Sequence, residues 1–405
     1  MHMLNLEKIK SAKGVLDTVV RKTEILDARG ITDSCSLYLK TENLQHTGSF
    51  KLRGAFYKIS SLSPQDRAKG VVACSAGNHA QGVAFAAKHF GIPAKIFLPA
   101  GAPISKIEAT RLRGAEVVLV DGIYDDAYAA SIKYAKENDI PFIHPFNDED
   151  VIAGQGTVGL EIIEEMPDVD AVIIPMGGGG LAAGMACAIK ALKPECKVYG
   201  VQAKGADSMV TSLRSGEIVS SKTVRTFADG IAVKDPGNLT HEMLSKLLDG
   251  SATVYEDEIA LAVLKLMEKQ RLVAEGAGAV SVAAVMADKF DLKEKKVCAV
   301  VSGGNIDVNI LSRVISRGMI SEGRLTNLTV SLTDKPGQLE AVSKIIAGGG
   351  ANVIGVQYAP GGETPCNETL DINGCFLKIS METRNFEHLT EIRKTLSENG
   401  FELIN

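Results

Sequence analysis

The chain contains no tryptophan, no CxxC pair and no excess of basic residues, and each absence narrows the classes of protein to which it can belong. Its seven cysteines are scattered, as is typical of reduced thiols in a cytoplasm and not of a disulfide framework or a zinc site. The net charge of −5 supplies no basic field for nucleic acid or acidic lipid. No apolar run approaches the roughly 20 residues of a membrane span. We therefore expect a cytoplasmic protein without nucleic-acid or membrane partners.

What the chain has in quantity is glycine, with 40 residues in 405, beside a hydrophobic fraction of 45%. This length is sufficient for two or three domains with a large core. From about residue 36 to 318, near-continuous apolar strands alternate with helical stretches. That pattern predicts parallel sheets covered on both faces, with ligands bound at the carboxyl ends of the strands. The expected strands are 36–42, 70–74, 94–98, 116–120, 170–175, 197–203 and 296–301.

The composition changes after residues 316–325, and the rest of the chain has a different order of elements. Its pattern predicts the βαββαβ order of a split βαβ unit. The polar segment 359–373, between the two middle strands, is predicted to be a loop. The expected elements are 325–333, 337–347, 352–357, 374–382, 386–399 and 401–405.

Lys51 stands close to the start of a predicted helix. The segment 44–59 begins with turn-forming residues and continues with apolar residues at helical spacing. The dipole of a helix repels a cation in the first turn, and it also lowers the pKa of an ammonium group there. A neutral amine suits a nucleophile that must form a Schiff base. A solvated surface lysine is the alternative.

Glycine-rich loops follow three of the expected strands. Residues 75–82, SAGNHAQG, open a helix whose free N–H groups can bind a carboxylate, although a plain strand-to-helix turn also explains them. Residues 176–184, MGGGGLAAG, suit a phosphate, and they are not a Walker A loop because no Lys-Ser/Thr pair follows. Residues 301–305, VSGGN, offer Ser302 as a hydrogen-bond partner. The stretch 153–157, AGQGT, is expected to be a ligand-facing turn or a helix cap.

A reactive lysine, a phosphate loop, an anion-binding turn and a strand-end serine together describe a site for a phosphorylated aldehyde beside an amino-acid carboxylate. Pyridoxal phosphate fits that description. The order of TGSFKLRGA, SAGNHAQG, GGGGL and SGGN closely resembles the threonine dehydratase (threonine ammonia-lyase) family. Its members are fold type II pyridoxal-phosphate enzymes, related to serine racemase and the tryptophan synthase β chain. The resemblance implies an α/β fold with two parallel-sheet subdomains.

The resemblance covers roughly residues 5–320 and implies a catalytic domain over 1–320, with the smaller subdomain at roughly 45–145. The segment 325–405, in which DKPGQL at 334–339 joins a strand to a helix, resembles an ACT domain, a small-molecule sensing module. Relatives form dimers and tetramers, so the resemblance also implies a homo-oligomer.

By position, the resemblance makes Lys51 the residue that binds the cofactor covalently and then transfers the Cα proton. Phe50 would flank the cofactor ring, Asn78 would bond its phenolic oxygen and Ser302 would face its pyridine nitrogen. The phosphate would be bound by Gly177, Gly178, Gly179, Gly180 and Leu181. The substrate carboxylate would be bound by Ser75, Ala76, Gly77, Asn78 and His79.

The implied reaction converts L-threonine to 2-oxobutanoate and ammonia, with slower action on L-serine. A neutral serine at the pyridine nitrogen favours prompt elimination over transamination. Serine racemases have a serine where this chain has Ala76, and that serine is the base on the second face of Cα. Its absence favours a dehydratase over a racemase. A serine dehydratase, a serine racemase and a non-catalytic amino-acid sensor are the alternatives.

Two further expectations concern ions and regulation. Racemase-like relatives have two acidic metal ligands within 201–210, where this chain has Gln202 and Ser208. We therefore expect no divalent metal, while a monovalent ion bound by carbonyls stays open. An ACT domain favours feedback control. Isoleucine is the first candidate effector because its biosynthesis uses 2-oxobutanoate, and valine or a nucleotide is the alternative. The expected effector site consists of Asp334, Gly337, Gln338 and Leu339.

Overall fold

The computed structural model describes residues 4–360 and 373–404, which belong to two compact units, Met1–Leu311 and Ser312–Asn405. Within these described residues, no helix combines the length and the apolar character that a membrane crossing requires. The cavity described below lies entirely within the first unit.

The first unit contains a six-stranded sheet and a three-stranded sheet. The strands of the larger sheet are β1 Ile25–Asp27, β2 Ser36–Lys40, β6 Ala171–Pro175, β7 Lys197–Ala203, β8 Gly250–Val254 and β9 Lys296–Val300. Their order is β1-β2-β9-β6-β7-β8, and every pair except β1–β2 is parallel. The smaller, parallel sheet contains β3 Val71–Cys74, β4 Ala94–Pro99 and β5 Glu116–Val120.

Helices connect these strands and cover the sheets. They are α1 Leu6–Leu16, α2 Lys51–Ser60, α3 Pro64–Ala68, α4 Asn78–His89, α5 Ile104–Leu112, α6 Tyr124–Glu137, α7 Glu149–Glu165, α8 Gly180–Leu192, α9 Ser208–Ser215, α10 Asn238–Leu247, α11 Glu256–Gln270 and α12 Gly276–Met286. The next helix, α13 Val308–Ser321, begins in the first unit, and most of its residues belong to the second. Helix α8 is rich in alanine, and α12 is rich in alanine and valine. Both are buried along almost their whole length, as expected for helices between layers.

The seven expected strands of this unit are all present, with ends that differ by at most two residues from the predicted ones. The α/β fold with two largely parallel sheets is therefore confirmed. The interpretation of residues 153–157 as a turn or a cap is wrong, because they lie inside α7 and are buried. Their glycines serve close helix packing: a Cβ on Gly154 would lie 2.6 Å from the carbonyl oxygen of Arg53, and one on Gly156 would lie 2.8 Å from that of Gly184.

The second unit has the predicted βαββαβ order. Its elements are β10 Leu325–Thr333, α14 Gln338–Gly348, β11 Asn352–Pro360, β12 Gly374–Glu382, α15 Phe386–Glu398 and β13 Glu402–Leu403. The strands form an antiparallel sheet in the order β11-β12-β10-β13 around an apolar core of its own. Most of the predicted polar loop, 359–373, lies outside the described residues, and its first two residues belong to β11.

Candidate active site

A cavity of about 820 Å³ lies where the carboxyl ends of strands from both sheets of the first unit meet. Ser75 follows β3, Gly177 follows β6 by two residues, and Ser302 follows β9 by two residues. This is the position that parallel sheets give to a ligand. The structure brings every predicted cofactor and substrate residue to the cavity wall: Phe50, Lys51, Ser75, Ala76, Gly77, Asn78, His79, Gly177, Gly178, Gly179, Gly180, Leu181 and Ser302.

Lys51 is the first residue of α2, and Phe50 is its N-cap. The Lys51 Nζ donates a hydrogen bond of 2.7 Å to the carbonyl oxygen of Pro145. Burial lowers the pKa of Lys51 to about 8, although the nearby Glu275 carboxylate opposes the shift. The sequence predicted a lowered pKa from the helix dipole, whereas burial is the main cause in the structure. A much larger fraction of this amine than of an ordinary lysine is therefore in the neutral, nucleophilic form near physiological pH.

The four glycines form the turn between β6 and α8. Gly179 has φ +90 and caps α8, which begins at Gly180. A Cβ on Gly178 would overlap the ring of Phe146, so this position accepts no larger residue without a shift of that ring. The hydroxyl of Thr240 donates to the carbonyl oxygen of Gly178 at 2.6 Å and fixes the turn. The first N–H groups of α8 have no partner within the helix and can bind a phosphate.

The turn Ser75–His79 leads from β3 into α4. The N–H of Gly77 donates to the hydroxyl of Ser75 at 3.1 Å, and α4 begins at Asn78. Nε2 of His79 lies 2.8 Å from the carbonyl oxygen of Ile143, and burial lowers the pKa of this imidazole to about 3. His79 is therefore neutral, with its proton on Nε2. The backbone N–H groups at the start of α4 remain for an anion.

Sequence reasoning missed Glu275 and Asn305, which also line the cavity. Asn78 Nδ2 donates to Glu275 Oε1 at 2.6 Å, and Asn305 Nδ2 donates to Asn78 Oδ1 at 2.8 Å. Burial, together with the charge of Asp229, raises the pKa of Glu275 to about 7. Two signals could have revealed them: an acid directly before the apolar helix α12, and the asparagine that ends the SGGN motif.

The segment HPFN at 144–147 was also missed. The backbone N–H of Asn147 donates to Nδ1 of His144 at 2.8 Å, which closes a tight turn. Phe146 packs on the glycine turn, and the carbonyl oxygen of Pro145 accepts from Lys51. A histidine and a proline before the capping aspartate of α7 were the signal in the sequence.

The residues considered as ligands of an ion or an effector lie outside the cavity lining. Oε1 of Gln202 accepts from the backbone N–H of Val210 at 2.7 Å, and Ser208 donates to the carbonyl oxygen of Val233 at 2.9 Å. Among the described residues, no group of three or more His, Cys, Asp or Glu side chains is placed to bind a metal. The four expected effector residues lie in the second unit around the start of α14: Asp334, Gly337, Gln338 and Leu339.

A model of the pyridoxal-phosphate dependent enzyme family matches residues 16–303. The chain belongs to this family. The L-threonine ammonia-lyase of Thermotoga maritima is 47% identical over 403 residues, or 99% of each chain, and that of Geobacter sulfurreducens is 43% identical over 98% of each. The catabolic L-threonine dehydratase of Escherichia coli is 45% identical, covering 76% of this chain and 95% of its own.

Solved structures show the same fold. The processed form of threonine deaminase isoform 2 from Solanum lycopersicum has a TM-score of 0.75 and 37% identity, covering 78% of this chain and 87% of its own. Maize serine racemase has a TM-score of 0.74 and 33% identity, covering 79% and 99%. The chain is thus a fold type II enzyme that depends on pyridoxal phosphate. The cavity fits this cofactor, since it combines a buried amine with a glycine turn at a helix start.

Proposed function

We propose that the chain is an L-threonine ammonia-lyase, which converts L-threonine to 2-oxobutanoate and ammonia, with slower action on L-serine. The observation that carries the proposal is the buried Lys51 amine, whose pKa is lowered to about 8, in one cavity with the glycine turn. Two relatives named L-threonine ammonia-lyase, similar over nearly the whole chain, support the choice of substrate.

Each residue of the cavity has a role in this proposal. Pyridoxal phosphate, when bound, withdraws electrons from the Cα of an amino acid joined to it and so lets a proton leave that carbon. Lys51 attaches the cofactor and, as a neutral amine, accepts the Cα proton. When the cofactor is bound, Asn78 would donate to its phenolic oxygen, Ser302 would face its pyridine nitrogen, and Phe50 would flank its ring.

The remaining residues bind the two anionic groups. The turn Gly177–Gly180 and Leu181 would bind the phosphate through the backbone N–H groups at the start of α8. The turn Ser75–His79 binds the substrate carboxylate at the start of α4 in the same way. The cofactor phosphate and the substrate carboxylate would thus each be bound by the N-terminus of a helix. The Lys51 amine would then face the reacting carbon, which lies between these two groups.

Turnover of L-threonine tests the proposal directly. The purified protein is loaded with pyridoxal phosphate and assayed for 2-oxobutanoate from L-threonine and for pyruvate from L-serine. We expect both products, with the larger kcat/KM for L-threonine. Protein that carries the cofactor and releases no 2-oxobutanoate would contradict the proposal and favour the amino-acid sensor.

Serine racemase is the second candidate, because maize serine racemase has the same fold at 33% identity. Racemisation needs a base on each face of Cα, and the methyl group of Ala76 supplies none. We expect no D-serine from the wild type and a trace from Ala76→Ser. Ala102→Ser makes the same change outside the cavity lining and should form none. D-Serine from the wild type would point to a racemase with another base.

The C-terminal unit is proposed to be an ACT-like regulatory domain over 325–405, attached to a catalytic domain over 1–320 whose smaller subdomain spans roughly 45–145. Its βαββαβ order and antiparallel sheet support this role. Isoleucine is the first candidate effector, bound where Gly337, with φ +91, caps α14. Feedback control by isoleucine would favour a role in isoleucine biosynthesis over one in threonine breakdown. We also propose that the enzyme is cytoplasmic and forms a dimer or tetramer. A monovalent cation remains part of the proposal.

A further inference from the structure

A chain of hydrogen bonds runs across one side of the cavity and contains Asn78. Asn305 Nδ2 donates to the carbonyl oxygen of Thr47 at 2.7 Å and to Asn78 Oδ1 at 2.8 Å. Asn78 Nδ2 in turn donates to Glu275 Oε1 at 2.6 Å. These hydrogen bonds therefore connect a backbone carbonyl to a buried carboxyl group through two side-chain amides.

The backbone carbonyl at one end sets the direction of every bond in this chain. A carbonyl oxygen only accepts hydrogen bonds, so Asn305 must turn its NH2 group towards Thr47. The same NH2 group faces Asn78, which must therefore present Oδ1 to it. Asn78 Nδ2 then points to Glu275. Reversal of either amide would bring two donors or two acceptors together and leave buried groups unsatisfied.

Glu275 is held firmly as the acceptor at the other end. Its backbone N–H donates to the carbonyl oxygen of Gly303 at 3.1 Å, and a Cβ on Gly303 would overlap its carboxylate. The ionisable groups that act on it are Asp229, Lys106 and Lys51. A carboxyl oxygen can accept a hydrogen bond in either protonation state of the group, so Glu275 Oε1 accepts from Asn78 even though burial raises the pKa of Glu275.

An NH2 group carries two hydrogens, and Glu275 accepts only one of those of Asn78. The second has no acceptor among the hydrogen bonds of the described residues, and Asn78 lines the cavity. We propose that Glu275 and Asn305 are positioning residues, which hold the Asn78 amide with this hydrogen directed at an anionic oxygen on the cofactor ring. They act through Asn78.

The proposal concerns how the cofactor is bound, and it rests on the proposed function only for the identity of that cofactor. Its test measures cofactor binding and absorbance and does not need turnover. A wild type that binds pyridoxal phosphate but releases no 2-oxobutanoate would therefore overturn the proposed function and leave this inference standing.

Asn305→Asp is the sharpest variant, because it replaces the shared donor with an acceptor that faces two other acceptors. Asn78 must then turn its amide or lose its partner. We expect the dissociation constant of pyridoxal phosphate, measured by fluorescence titration of cofactor-free protein, to rise about tenfold. The absorption maximum of the bound cofactor should shift as well. Glu275→Leu removes the other partner and should weaken binding in the same direction, which covers the case of an Asn305 variant that fails to fold.

Asn43→Asp is the matched control. Asn43 Nδ2 donates to the carbonyl oxygen of Val273 at 3.0 Å, and its Cβ lies against Gly304, beside the same turn. The control thus places a carboxylate opposite a carbonyl close to the site without touching Asn78. We expect it to leave the absorption maximum of the bound cofactor unchanged.

A double-mutant cycle separates positioning through Asn78 from general damage. In an Asn78→Ala background, neither Asn305→Asp nor Glu275→Leu should change the dissociation constant by more than about twofold. An equal loss of affinity with and without the Asn78 side chain would overturn the proposal. So would an Asn305→Asp protein with the dissociation constant and absorption maximum of the wild type.

Discussion

Arg53 and Glu161 form a buried, two-point ion pair, with Nη1–Oε1 and Nη2–Oε2 distances of 2.5 and 3.0 Å. Arg53 makes a second such pair with Glu42, and Lys40 lies 2.8 Å from Glu161. All four side chains are almost completely buried. Because Arg53 follows Lys51 by two residues, the two side chains leave α2 on nearly opposite sides. The ion pairs therefore hold the first turn of α2 in place on the side of the helix opposite to the Lys51 amine.

Arg53→Met should destabilise the protein strongly, because it leaves the buried Glu42 carboxylate without a counter-charge and the buried Glu161 carboxylate with Lys40 alone. We expect the free energy of unfolding to fall by about 3–5 kcal/mol, measured by denaturant titration. Lys10→Met breaks the exposed Lys10–Glu7 pair instead and should cost less than about 1 kcal/mol. Equal effects of the two variants would show that the buried network contributes little.

Lys51→Ala should abolish both turnover and covalent attachment of the cofactor, because the variant lacks the proposed nucleophile. Borohydride reduction followed by peptide mass mapping should find the cofactor on Lys51 in the wild type and on no peptide of the variant. Lys58→Ala, on the same helix but paired with Asp148 and Asp150, should keep the label on Lys51. A label on another lysine in the wild type would show that Lys51 does not bind the cofactor covalently.

The pKa of Lys51 predicts a pH dependence for cofactor attachment. Only the neutral amine reacts, and burial lowers its pKa from 10.5 to about 8. The attachment rate to cofactor-free protein should therefore rise with pH to a plateau, with its midpoint near 8. The unfolded chain binds the Lys51 proton up to pH 10.5, so this group should also make the cofactor-free protein more stable as pH rises from 8 to 10.5. A midpoint above 10 would mean that the amine is solvated.

Gly178→Val should weaken cofactor binding far more than it lowers stability, because its side chain displaces Phe146 beside the phosphate-binding turn. We expect the dissociation constant of pyridoxal phosphate to rise at least tenfold, on the order of the cost of overpacking. Gly14→Ala, in an exposed helix position with open space around it, should leave binding unchanged. If the affinity of the Gly178 variant for pyridoxal phosphate is unchanged, the glycine turn does not bind the phosphate and has only a structural role.

Truncation after Ser321 tests the regulatory role of the C-terminal unit. The Escherichia coli relative aligns over 95% of its own length with only 76% of this chain. A shorter protein of this family therefore exists, and we expect the truncated chain to fold. The truncated protein should keep threonine turnover and lose any response to isoleucine. Typical allosteric couplings correspond to roughly 5- to 150-fold in affinity. Full-length enzyme that ignores isoleucine, valine and common nucleotides alike would rule out the sensing role.

Most strands could be predicted because they are buried on both faces and therefore read as continuous apolar runs. The strand β8, Gly250–Val254, was missed because its residues GSATV are small, partly polar and only half buried at the sheet edge. The segment 153–157 was misread because glycines usually interrupt helices, whereas here two neighbouring helices approach too closely for any side chain.

The motifs of the site were predictable where local sequence sets local geometry. Glycine turns after strands and a lysine at a helix start are recognisable within a few residues. Glu275 and Asn305 were not recognised, because their partner Asn78 lies 197 and 227 residues away along the chain. Nothing in a single sequence states that such distant side chains meet.

The glycine contacts between helices have a consequence for which ligands the enzyme can accept. Gly54 and Gly154 bring α2 against α7, and Gly156 and Gly184 bring α7 against α8. A Cβ on any of the four would overlap backbone atoms of the neighbouring helix. Helix α2 carries the amine and α8 carries the phosphate turn, so α7 acts as a rigid spacer between the two. The distance between the Lys51 amine and the phosphate-binding turn is thereby fixed. A ligand bound at both points must therefore have an aldehyde and a phosphate whose separation matches this distance.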